Sequence, residues 1–307
     1  METPSEYPLI SIGIPTFNRN RGICRALESV WRQCYPNLEI IVSDNCSSDN
    51  THEVLLKMQR GHPEMKCYRQ EKNIGMISNF EFVLRAATGK YFMWVADDDI
   101  LEDDVLFKYV AFLESHPLYS LVSGEIKYWL NNRQSLIERD FNFEQKSSSL
   151  RVLGYYSKVV YGGMIHGMMR RELTTEICLR KVIGNDFHFI ANLAYLGEIK
   201  HLAFVGYHKN LGGDSKNFKE YVIHMGDSQF AASFPHLKMA CDAFAEIMYR
   251  STVYADMSLP SKFTLAVSSF FSMLVRFYGT IFPFMIAGRI KRMIIKYPAL
   301  KGKELNA

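Results

Sequence analysis

Residues 9–19 read LISIGIPTFNR. The stretch is uncharged until Arg19, rich in isoleucine, and broken at its end by Pro15-Thr16. An uncharged apolar run of this length reads as a strand buried on both faces. Leu38–Ser43 (LEIIVS) and Tyr91–Ala96 (YFMWVA) repeat the pattern, and Met65–Arg69 and Tyr119–Gly124 give shorter versions. Amphipathic stretches lie between them at Arg25–Gln33, Asn50–Gln59, Ile77–Ala87 and Asp103–Glu114. Buried strands alternating with helices of about ten residues predict right-handed βαβ units, hence an α/β fold on a largely parallel sheet.

In such a sheet ligands sit beyond the carboxyl ends of the strands. The informative residues are therefore Pro15-Thr16-Phe17-Asn18-Arg19 after the first strand, Asp44–Asp49 after the second and Asp97-Asp98-Asp99 after YFMWVA. Polar and acidic groups collect at one sheet edge. Three adjacent carboxylates repel one another unless a cation or a helix N-terminus compensates them. A hard divalent ion, Mg²⁺ or Mn²⁺, would take their oxygens and share its shell with substrate phosphates. Asp44 could accept from a base N–H or a ribose hydroxyl, or serve a turn, while Asp49 suits the cap ahead of Thr51–Leu55. Asn73, Gly75 and Asn79 span the start of the third helix, where both amides could bond a base.

The remaining composition narrows the classes. The chain has 307 residues, 48% hydrophobic and 22% charged, which is folded-protein composition and a prior of about two domains. Six cysteines at 24, 34, 46, 67, 178 and 241 form no CxxC pair, so neither a zinc cage nor a disulfide framework is expected. METPSEYP lacks the features of a secretory signal. Residues 262–307 hold eight cations and one acid, a net +7 against +4 for the whole chain, which leaves −3 for the rest. The bulk is thus no polyanion binder, and no nucleic-acid partner is expected.

PTFNR, VSDNCSSDNT, NIGMISN and WVADDDIL together, in this order over residues 9–125, resemble the inverting family 2 glycosyltransferases of the GT-A fold, of the kind that builds bacterial surface polysaccharides such as O-antigen. The resemblance implies a GT-A (Rossmann-like), mostly parallel sheet with flanking helices, plus a C-terminal helical segment. It also implies a nucleoside diphosphate sugar donor of the UDP, dTDP, GDP or CDP type and a glycan or lipid-linked acceptor. By the same resemblance Pro15, Thr16 and Arg19 border the nucleotide, Asp44 holds the base, Asn73 and Asn79 line its pocket, and Asp97 lies near the ribose. Asp98 and Asp99 are the metal residues, with Asp98 foremost. Many relatives carry an acid where this chain has Ala96.

Gly184-Asn185-Asp186 ahead of FHFIANLAYLGEIKHL resembles the acidic motif that supplies the family's general base, which points to Asp186. A helix cap is the other role for that position, and Asn185 suits it equally. His166 could border the acceptor. His208 could touch the metal or diphosphate, and Lys209 and Ser215 a phosphate. Asn131–Ser149 reads as loop, Tyr161–Met169 as a glycine-punctuated strand, Ile199–His208 as a strand, and the chain from residue 219 as helical. The expected division is a catalytic domain over 1–218 and a helical region over 219–307. Residues 263–296 combine apolar runs with Arg289, Lys291, Arg292 and Lys296, and Arg276 and Pro283 interrupt them. That pattern suits peripheral contact with anionic lipid at the cytoplasmic face of an inner membrane, or a homo-oligomer interface. A nicotinamide dehydrogenase would need G-x-G-x-x-G where this chain has PTFNRN. An inactive sugar-nucleotide-binding scaffold would keep the nucleotide motifs and need no base.

Overall fold

The computed structural model describes residues 7–130, 133–139, 141–210, 222 and 227–279. The strands β1 (Ile10–Thr16), β2 (Leu38–Asp44), β3 (Met65–Arg69) and β4 (Tyr91–Trp94) form a parallel block in the order β3-β2-β1-β4. The helices α1 (Asn20–Trp31), α2 (Thr51–Gln59) and α3 (Met76–Ala86) make the crossovers. In α1, Ile23, Ala26, Leu27 and Val30 recur at helical spacing and are all buried, which is why this segment coils and lies against the sheet. Every residue of β1 is buried, as its uncharged run requires.

Past β4 the sheet becomes mixed. Then follow β5 (Ile100–Leu101), α4 (Val105–Ser115), β6 (Tyr119–Leu130), β7 (Arg133–Glu138), α5 (Ser148–Lys158), β8 (Met168–Arg170), α6 (Asn185–Leu196) and β9 (Glu198–Asn210). The sheet order continues β4-β8-β6-β9-β5, with β7 on β6; β6 and β9 run parallel, and β5, β7 and β8 pair antiparallel. Two expectations change here. The stretch 131–149 is not all loop, since β7 pairs with β6. Tyr161–Met169 is mostly a 3₁₀ turn over Gly163–His166, and β8 begins only at Met168.

The C-terminal helices α7 (Gln229–Ser233), α8 (Pro235–Ala245) and α9 (Leu259–Tyr278) share one hydrophobic cluster with α5, α6 and the sheet face bearing Phe92 and Trp94. The opposite face buries Ile10, Ile12 and Ile14 under α1 and α4. Each fully buried aliphatic side chain contributes roughly 1.5–3 kcal/mol, so two such layers hold the strand ends in fixed positions. Among the described residues no helix is long and apolar enough to cross a membrane. The apolar and basic stretch beyond Gly279, and the 211–216 loop with Ser215, lie outside the described residues.

Candidate active site

The ends of β1, β2 and β4 meet as the βαβ order requires. Thr16 Oγ1 donates to Asp97 Oδ2 at 2.7 Å, with Phe17 N at 3.4 Å and Arg19 Nε 4.0 Å from Asp97 Oδ1. Pro15 is buried behind Thr16, whose carbonyl accepts from Asn45 N. Asn18 and Cys46, both at positive φ, turn the two loops toward each other, and Asn18 Oδ1 accepts from Ser48 N at 2.8 Å. Asp44 is fully buried; Ser47 N donates to its Oδ1, while its Oδ2 has no hydrogen-bond partner among the described residues. His52 Nδ1 and Arg69 Nε stand 3.6 and 3.8 Å from that oxygen. A buried carboxylate oxygen left without a donor costs free energy, so this position is suited to an incoming N–H or O–H.

Asn73 is exposed at the same edge, where its Oδ1 accepts from Asn45 Nδ2 and Gly75 N. Asn79 departs from its expected place. It is buried, and its amide is engaged with Ser43 on β2, accepting from Oγ at 2.6 Å and donating to the carbonyl at 2.9 Å. Asn79 therefore ties α3 to β2.

In the acidic triplet, burial pushes Asp97 up to about 7 and Asp99 up to about 6, and the charge of Asp98 adds to both shifts. Asn210 N donates to Asp99 Oδ1 at 2.8 Å, and among the described residues Asp99 Oδ2 is buried without a hydrogen-bond partner. Asp98 lies half-buried between them. Among the described residues no three His, Cys, Asp or Glu side chains gather as a ready metal cage. An orphaned carboxylate oxygen beside further carboxylates still fits a hard cation that draws its other ligands from substrate phosphates.

Consecutive residues of β9 join this edge to a second group of polar side chains. Ala96 N donates to Tyr207 Oη, Asn210 N binds Asp99, and Lys209 Nζ lies 3.0 Å from His166 Nε2. His166 is buried, stacked on Tyr207 at 4.5 Å, and held well below its ordinary pKa by burial and then by Lys209. His208 does not fill its expected role as an open ligand. Its Nε2 pairs with Glu102 Oε2 at 2.5 Å and its Nδ1 accepts from Trp129 Nε1 at 2.9 Å.

Asp186 opens α6 after Gly184, whose φ of +73° makes the turn into the helix. Asp227 Oδ2 accepts from Ile183 N at 2.8 Å and Met239 packs on Gly184, so the C-terminal helices brace this turn. The Asp186 carboxylate rests on Gly162: a Cβ there would fall 1.8 Å from Asp186 Oδ2. Burial raises the pKa of Asp186, opposed by Phe187 N and Lys209. Asn185 Nδ2 donates back to Val182 O at 3.2 Å, and Asp186 Oδ1 accepts from Phe187 N at 3.0 Å in the first turn of the helix. The sequence reading passed over Glu138, buried on β7, whose pKa burial also raises. Its polar surroundings RQSLIE carry no periodic signal, and only the fold brings it to the turn beside Asp186.

The family model for "Glycosyl transferase family 2" matches residues 11–176. Chondroitin synthase from Escherichia coli is 33% identical over 227 residues, 72% of this chain and 32% of that protein. The dolichyl N-acetyl-alpha-D-glucosaminyl phosphate 3-beta-D-2,3-diacetamido-2,3-dideoxy-beta-D-glucuronosyltransferase of Methanococcus voltae is 28% identical over 196 residues, 60% of this chain and 61% of that protein. The chain spans about a third or less of the length of several curated relatives that it matches, the chondroitin and hyaluronan synthases. Among solved structures, S. aureus TarS 1–349 in complex with UDP-GlcNAc is similar with a TM-score of 0.64 at 20% identity, covering 94% of this chain and 78% of that one. The mannosyltransferase PcManGT from Pyrobaculum calidifontis, in complex with GDP-Man and Mn²⁺, gives 0.55 at 16% identity over 96% of this chain and 82% of that one. These structural likenesses establish a GT-A type fold.

Proposed function

From the premise that the chain belongs to glycosyl transferase family 2, we propose that it transfers a sugar from a nucleoside diphosphate sugar to a hydroxyl of a glycan or lipid-linked acceptor, with inversion at the anomeric carbon. The observation that carries this reading is the shared edge. β9 links the acidic triplet, through Asn210 and Tyr207, to the Lys209–His166 pair beside Asp186. Donor recognition would rest on Pro15, Thr16 and Arg19 around Asp97, on the open oxygen of Asp44, and on Asn73 at the rim. TarS and PcManGT, each in complex with a nucleotide sugar, lend support to a donor of that class.

In the step itself, Asp186 takes the acceptor hydroxyl proton while the acceptor oxygen forms its bond to the anomeric carbon from the face opposite the diphosphate. The bond from that carbon to the phosphate oxygen breaks, and the departing nucleoside diphosphate keeps the electron pair. A divalent cation, Mn²⁺ or Mg²⁺, on Asp98 and Asp99 would offset the charge of the leaving diphosphate. Holding both substrates in line supplies much of the remaining acceleration.

The proposed location is peripheral, at the cytoplasmic face of an inner membrane. Phe263, Phe271 and Val275 are exposed along α9, on the way to the basic stretch beyond it. Asp186→Asn tests the central reading: transfer should fall by a factor on the order of 10²–10⁴. The thermal shift given by UDP, dTDP, GDP or CDP with Mn²⁺ should persist. Undiminished transfer by this variant would remove Asp186 as the base, and joint loss of transfer and nucleotide binding would count against so specific a role.

A further inference from the structure

Glu138 is a buried acid with no part in the step described above. It ends β7 opposite Ile126 of β6, and both carboxylate oxygens are taken: Tyr128 Oη donates to Oε2 and Gly163 N donates to Oε1 at 3.2 Å. The turn it grips is built to come this close. A Cβ on Gly163 would lie 2.5 Å from Glu138 Oε2 and 2.4 Å from Ile126 Cδ1, as a Cβ on the preceding Gly162 would strike Asp186. Two adjacent glycines thus place one carboxylate on each side of a single turn, and the same turn continues into His166.

We propose that Glu138 is a positioning residue for Asp186: it anchors the Gly162–Gly163 turn on which the Asp186 carboxylate rests and sets a second acid across that turn. The inference depends on Asp186 being the base. Burial keeps Glu138 from meeting substrate, so it acts through Asp186. Three other charged or titratable groups face the pair. Lys209 on β9 acts on both acids, Tyr128 on β6 donates to Glu138, and His166 on the turn takes up Lys209. Asp186 raises the pKa of Glu138 and Lys209 favours ionisation of both, so the two acids repel each other across the turn. With Glu138 replaced by a neutral group that mutual repulsion is gone, and Asp186 ionises more readily.

Glu138→Gln separates charge from scaffold. A glutamine can accept from Gly163 N through its oxygen and donate to Tyr128 Oη through its amide, so the turn can stay in place while the charge goes. The experiment measures the pH dependence of kcat and the donor KM for wild type, Glu138→Gln and Asp186→Asn, with nucleotide thermal shifts as the folding check. Expected for Glu138→Gln are an unchanged nucleotide shift and donor KM, an acid limb of the kcat profile displaced to lower pH, and a kcat reduced roughly tenfold. Tyr128→Phe, which keeps the charge but frees one carboxylate oxygen, should lower kcat with a smaller displacement. If Asp186→Asn is inactive while Glu138→Gln keeps both kcat and its acid limb, Glu138 has no such role. If Asp186→Asn still transfers sugar, the base assignment fails first and the inference falls with it.

Discussion

Gly162 illustrates how narrow the tolerances are at single residues. Its φ is ordinary, so alanine there would carry no backbone strain; the whole effect falls on the Asp186 carboxylate 1.8 Å from the new methyl. Gly162→Ala should therefore swing that carboxylate away and reduce kcat about a hundredfold, the cost of roughly an ångström of misplacement. Steady-state kinetics should show an unchanged donor KM, because no donor-side residue is touched. At this scale the sequence was informative wherever chemistry is local. Asp44 and the aspartate triplet stand just past apolar runs that announce themselves as strands. Glu138 was not legible, because its partners Tyr128, Gly163 and Asp186 lie 10, 25 and 48 positions away, on a paired strand, a turn and a helix that only the tertiary fold gathers. The pairing of His208 with Glu102, 106 residues apart, was hidden for the same reason.

Among the elements, α6 carries Asp186 at one end and a titratable liability along its length. His188 is buried beside Tyr156, its Nδ1 3.1 Å from the tyrosine oxygen and its Nε2 without a partner among the described residues. Burial pulls its pKa from 6.5 to about 4, so the ring is neutral in the fold and takes up a proton more readily once the chain unfolds. The stability it confers is full above pH 6.5 and is lost as pH falls toward 4, a change on the order of 3 kcal/mol. Urea titrations across that window should show His188→Asn losing less stability on acidification than the wild type. The helices and parallel strands of the first third were readable from periodicity. β7 was missed because an edge strand of polar residues has no apolar alternation to reveal it, and β8 because three residues are too few to show a period.

At the scale of the whole molecule, the charge split is where the proposed membrane contact can be tested. Residues 280–307 hold six cations and one acid, and they follow a helix whose Leu259, Phe263, Phe271 and Val275 are exposed. Each cation near an anionic surface contributes about 1 kcal/mol at low salt. Replacing Arg289, Lys291 and Arg292 with Glu should abolish co-sedimentation with phosphatidylserine-containing vesicles while nucleotide-induced thermal shifts persist. Binding by the wild type should also weaken with added salt. Retention of the triple variant on such vesicles would exclude the charge mechanism. The residues that join the two sides of the cleft, Tyr207, Lys209 and Asn210, follow one another on a single strand, with backbone hydrogen bonds to β6 and β5 on either side. Such a beam cannot yield at one residue without tilting the next. On the proposed function, a nucleotide sugar that moves Asp99 would also move Lys209 and His166, and by thermodynamic reciprocity the acceptor would act back along the same strand by an equal factor.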